Sequence, residues 1–173
     1  AALPARGTSE GRQLRRWLTQ LIVTERVVAA AAAALGLTAA DAPTEADVLP
    51  DIAARLEIGS IAAAALQDPK ARALFAHLTA AVEVSDEEVA AYHARNPLRF
   101  AAAPRDRDGW RTPALAAPPL AQVRLVITEH LRGAARRRAF RMWLDQRRAA
   151  LVQLAPGYEH PGDPRQPDNT HRH

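Results

Sequence analysis

Cysteine is absent from this chain of 173 residues. That excludes a disulfide framework, a thiolate nucleophile and any thiolate metal site, and it leaves the redox compartment unread. Aromatic residues are scarce, 5% against an apolar content of 48%, so a core must be filled chiefly by Leu, Val, Ile and Ala. No apolar run reaches membrane-spanning length without a charge, and no signal-peptide pattern is present. The expectation is therefore that no membrane is a partner. Also missing are a nucleophile elbow, a phosphate-cradling glycine loop, a dinucleotide fingerprint and zinc-finger spacing. The chain begins with Ala1 rather than Met, which keeps open a preceding segment and export; otherwise a cytoplasmic location is expected.

What is present points to helix. The length suits one domain, and abundant alanine favours the α conformation. Formal net charge is only +4, yet the sequence pI is about 10.5, because arginine dominates the basic residues. Guanidinium groups suit acidic groups and phosphates; nucleic acid is the minor reading of that excess, and a solvated surface is the major one.

Thr8 or Ser9 can cap a first helix over about residues 10–35, with Gly36 ending it. Leu14, Trp17, Leu18, Leu21, Ile22, Glu25 and Val28 recur there at helical spacing and predict the buried face. Trp17 reads first as core and second as a binding aromatic. Thr44 with Asp47 marks a second start, and Val48, Ile52 and Leu56 predict a helix that runs on through Pro50. Gly59-Ser60 breaks it. A short alanine-rich helix follows, and Asp68-Pro69 starts another, with Leu74, Phe75, Leu78 and Val82 inward and His77 satisfied or half-exposed.

Ser85 followed by Glu88 forms a capping box, with Asp86 and Glu87 adding negative charge at the helix start. Pro97 disfavours helix at Asn96, so this helix should stop near Arg95, with Leu98 and Phe100 as apolar anchors in an extended exit. The whole stretch, Val84-Ser-Asp-Glu-Glu-Val-Ala-Ala-Tyr92-His93-Ala-Arg-Asn96-Pro97-Leu-Arg-Phe100, resembles the hinge of SurA/PrsA-type chaperones and parvulin-type prolyl isomerases. That resemblance implies a helical domain that holds peptides, in which a rotamase domain is commonly inserted after the hinge helix. Here the corresponding segment, residues 101–119, is a loop with four prolines, too short for that domain. Prolyl isomerisation by this chain is not expected.

From Leu120 to about Leu154 a long helix returns, carrying Trp143 and the cationic strip Arg132, Arg136, Arg137, Arg138, Arg141, Arg147 and Arg148. Glu129 and His130 are an acid and an imidazole adjacent in sequence, but neighbours on a helix diverge by about 100 degrees. The expectation for residues 1–154 is an all-α single domain of about six helices, its long C-terminal helix closing onto the first ones. Residues 155–173 form an irregular tail with four prolines and two glycines from Pro156 onward, and three of the six histidines. Two interactions would order it. One is docking on the helical body with Tyr158 as anchor. The other is a metal site of His171 and His173 completed by His160, or by a body histidine such as His93 or His130, with Glu159, Asp163 or Asp168 in reserve; histidine-only ligation suits zinc, copper, nickel or iron.

Two functions follow as expectations. The first is a binding module that cradles an apolar peptide or small molecule between the hinge helix, the first helix and the terminal helix, using Trp17, Tyr92, Phe100 and Trp143. The second is a metal-dependent enzyme acting on a small metabolite, with Tyr92, His93 and Tyr158 as candidate catalytic groups where the tail folds over the body. A homo-oligomer, or a partner that uses the arginine strip, stays open beside both.

Overall fold

The computed structural model describes residues 3–5, 7–100 and 117–160. Every regular element among them is helical: α1 (Ser9–Ala34), a 3-10 turn (Ala39–Asp41), α2 (Glu45–Val48), α3 (Ile52–Ile58), α4 (Ser60–Ala65), α5 (Pro69–Leu78), α6 (Asp86–Arg95) and the long α7 (Leu120–Leu151). The all-α class and the long C-terminal helix are as expected. Contacts group these elements into two compact units, a larger one of Ala1–Ala80 with Arg137–His173 and a smaller one of Ala81–Arg136.

In the larger unit the helix boundaries follow local chemistry. Thr8 caps α1, its hydroxyl accepting the Gly11 N–H at 3.1 Å. Gly36, at φ +66°, turns the chain out of α1. The N–H groups of Gly36 and Leu37 then reach the Ala33 and Ala32 carbonyls, each at 3.0 Å, a Schellman closure that a side chain at position 36 would strain. Thr44 and Asp47 cap α2 reciprocally, at 2.9 and 3.2 Å. α2 does not run on through Pro50. It stops at Val48, because the proline ring pushes Leu49 out of the α region (φ −127°, ψ 67°), and Asp51 caps α3 anew through the Ala54 N–H at 2.7 Å. The break shifts the buried side to Val48, Leu49, Ala54 and Ile58. Ile52 and Leu56, expected to continue the apolar face, are each 75% exposed. Asp68 and Pro69 start α5 as expected.

α1 packs on α4 and α5. Val27, Val28 and Ala32 join Val48, Leu66, Leu74, Phe75, Phe140 and Leu144 in the core, where the Phe75 and Phe140 rings meet at 5.4 Å. By length and composition α1 is long and apolar enough to cross a membrane; its Val27, Val28 and Ala32 contribute to the core. Its buried face differs from the expected one. Leu18 and Ile22 are 42% and 49% exposed, whereas Arg16, Gln20 and Thr24 are buried, at the four-residue spacing that leads into Val27 and Val28.

The smaller unit holds α6 and the first part of α7. Ser85 and Glu88 cap α6 reciprocally at 2.9 and 3.2 Å. Val89, Val123 and Ile127 form a small core, with Val84, Tyr92, Phe100, Leu120 and Leu131 packed around it. Arg124 ion-pairs with Asp86, and Arg132 donates to the Val82 carbonyl at 3.1 Å. The exit from α6 is a turn, closed by the Arg99 N–H on the Asn96 carbonyl at 3.2 Å, not the extended run expected. Phe100 therefore folds back onto the core, and Leu98 stays half-exposed.

Candidate functional site

After α7, residues 152–160 follow an irregular path against α1 within the larger unit. Irregular backbone carries carbonyls that no helix or ladder satisfies, so donors must come from elsewhere. The polar stripe of α1 supplies them: Arg16 Nε donates to the Gly157 carbonyl at 3.3 Å, and Gln20 Nε2 to the Tyr158 carbonyl at 2.7 Å. Gln20 Oε1 accepts in turn from Arg148 Nη2 on α7. Tyr158 is half-buried and shares a cleft with Leu14 and Leu18. The burial of Arg16 and Gln20 thus has a cause outside α1 itself.

Beside this contact lies a pocket of about 330 Å³. Its apolar part is Ile58, Ile61, Ala62 and Leu144; its polar wall is Ser60, Arg141, Asp145, Arg148 and His160. Gly59, at φ +87°, lets α3 pass directly into α4 and so brings Ile58 and Ile61 to the same cavity. Trp17 sits close by, its Nε1 donating to Ser60 Oγ at 3.4 Å.

The arginines of α7 are not a uniform solvated strip. Arg137 is buried and ion-paired with Glu57 at 2.8 Å. Arg141 donates to the Glu57 carbonyl at 3.2 Å. Arg148 is half-buried; burial lowers its pKa below the ordinary arginine value, and the nearby Asp145 carboxylate acts in the opposite direction. A guanidinium so shifted still carries its charge at neutral pH. The pocket therefore pairs an apolar floor with two fixed cations.

The other expected site residues are divided between the units. Trp17 and Trp143 lie in the larger unit, where Trp143 stacks on Phe140 at 5.5 Å and is largely a core ring. Tyr92 and Phe100 lie in the smaller unit, in an aromatic group with His130: Tyr92 Oη is 3.2 Å from His130 Nε2, and the rings are 5.5–6.3 Å apart. His130 thus meets Tyr92 of α6, not its sequence neighbour Glu129. His93 Nε2 is 2.8 Å from the Pro118 carbonyl, so Tyr92 and His93 engage different partners. His77 is exposed. Of the proposed metal ligands, His160 lines the pocket, whereas His171 and His173 lie outside the described residues. Among the described residues, no group of three His, Asp or Glu side chains is arranged to hold a metal ion.

Sequence places Arg141 and Arg148 only within the cationic strip of α7 and does not single out Gln20. The available signal was the Arg16, Gln20, Thr24 spacing, which continues the Val27/Val28 stripe with polar residues. In comparisons with protein-family models, curated proteins and solved structures, the chain matched none.

Proposed function

We propose that this chain is a SurA-like helical binding module without prolyl isomerase activity, and that it holds a small apolar ligand or a short apolar peptide segment. The observation that carries the reading is the pocket of about 330 Å³ floored by Ile58, Ile61 and Leu144 beside the irregular segment. Its volume falls at the small end of the about 300–1,000 Å³ usual for ligand sites. The Ser85 capping box and the Tyr92, Asn96-Pro97, Phe100 spacing supply the family resemblance.

Trp17, hydrogen-bonded to a residue of the pocket wall, gives the test. Short apolar peptides should change the tryptophan fluorescence saturably. Ser60→Phe, which places a ring in the cavity from an exposed position, should abolish that change with helicity retained. Binding that is indifferent to Ser60→Phe would overturn the assignment of the pocket. The chain should also leave the cis/trans exchange of a prolyl test peptide unaccelerated.

The metal-enzyme reading keeps one supporting observation, the position of His160 at this pocket. A stoichiometric transition metal that is lost in His160→Ala would favour it over the binder.

A further inference from the structure

We infer that the ligand of this pocket carries a carboxylate, held by Arg141 and Arg148 while its apolar part lies on Ile58, Ile61 and Leu144. The inference rests on the binding-module reading and adds the chemical class of the ligand. Arg137, one turn away on the same helix, is the internal contrast: its charge is matched by Glu57 at 2.8 Å. Arg141 and Arg148 both line the cavity, and neither ion-pairs with a carboxylate among the described residues. Arg141 spends one N–H on the Glu57 carbonyl and Arg148 one on Gln20 Oε1, while Arg148 Nε is buried and meets no acceptor among the described residues. Each guanidinium has five N–H donors, so most of them remain for a ligand.

The energetics favour an anion. Burial acts against the charge of Arg148, and Asp145 offsets this in part without closing an ion pair. A bound carboxylate would supply the missing counter-charge in a partly dehydrated setting, where charge-assisted hydrogen bonds are strongest. Planar carboxylates also match the guanidinium fork. Asp145 in the same wall disfavours a dianion such as a phosphate, and the small volume favours a branched aliphatic group behind the acid. Two sources share this chemistry: the free C-terminus of a peptide ending in an apolar residue, and a small branched carboxylic acid.

Calorimetric titration of the full chain with four compounds tests the inference: acetyl-alanyl-leucine, its C-terminal amide, isocaproate and isocaproamide. Each acid should bind about tenfold or more tightly than its amide. Arg141→Met should remove most of that difference by weakening the acids more than the amides; as Arg141 is exposed, this variant keeps the test open should Arg148→Met fail to fold. Asp145→Asn should tighten the acids only. A preference confined to the peptide pair assigns a peptide C-terminus, and one shown equally by isocaproate assigns the free acid. Equal binding of acid and amide overturns the carboxylate assignment and leaves the binding module standing. No binding by any of the four overturns the inference, and fluorescence silent to every apolar peptide overturns the underlying reading as well.

Discussion

Replacing Gln20 by Met keeps the length and the apolar stem of the side chain but removes its amide. In the folded chain that amide donates to the Tyr158 carbonyl at 2.7 Å and accepts from Arg148 Nη2, in a side chain only 1% exposed. Leaving one buried polar group without its partner costs about 1–3 kcal/mol, and somewhat more where the group is charged. Tyr158 and Arg148 are each only half-buried, so water can recover part of both losses, and the expected destabilisation is about 2–3 kcal/mol, in place of the sum of two full penalties. Urea unfolding followed by far-ultraviolet circular dichroism measures it. Ile22→Met, two residues away and 49% exposed, is the control and should change stability by less than about 0.5 kcal/mol. The reasoning would be refuted if the two variants unfolded at the same urea concentration, since Gln20 would then be a tolerated polar residue and not the tie between α1, α7 and the terminal segment. A second readout separates local from global effects: Gln20→Met should speed proteolysis after Leu154 before it changes cleavage elsewhere.

Ser85→Ala removes one half of a reciprocal cap and should lower stability by about 1 kcal/mol, read as a shift in the thermal melt. Phe140→Ala empties a ring site that is 1% exposed and packed on Phe75 and Trp143; a loss of about 3–5 kcal/mol is expected in urea unfolding. Acid should loosen the 3-10 turn and the start of α2: backbone and side-chain hydrogen bonds from Thr38 hold the Asp41 pKa below its ordinary 3.8, and side-chain and backbone hydrogen bonds from Thr44 do the same for Asp47. Folded values below the unfolded ones mean that this contribution is complete above pH 3.8 and is lost as the pH falls through the depressed values. Thr44→Val should flatten that part of a stability profile taken between pH 5 and pH 2, within the range about which carboxylates titrate.

Much of the fold could be read from short-range chemistry. Thr8, Thr44 with Asp47, Asp68-Pro69 and Ser85 with Glu88 each begin a helix where their side chains can satisfy the first free N–H groups. Pro50 acts on the residue before it, which apolar spacing does not register: Leu49 leaves the helical region, and with it goes the register that would have buried Ile52 and Leu56. The inner face of α1 departs from its apolar periodicity for a longer-range reason. Hydrophobic periodicity ranks Leu18 and Ile22 above Arg16 and Gln20, but the surface that meets the latter pair is a stretch of unsatisfied carbonyls more than a hundred residues away. The candidate pocket shares that difficulty, since Ile58, Ser60 and Arg148 become neighbours only when α3, α4 and α7 have assembled. Tyr92 and Phe100, by contrast, stand out through the resemblance of the hinge stretch and do share one aromatic group; their companion His130 comes from another helix.

Position 20 faces a carbonyl oxygen on one side and a guanidinium on the other, two neighbours that make opposite demands. A carboxylate there would welcome the cation and repel the oxygen; an ammonium would do the reverse; a primary amide answers both with one planar group. Orientation matters too, because turning that group end for end would set nitrogen against nitrogen and oxygen against oxygen. Beside the Arg16 contact to Gly157, the terminal stretch is thus keyed to α1 by the polarity of the Gln20 side chain, and exchange for asparagine, one methylene shorter, should fail as surely as exchange for glutamate.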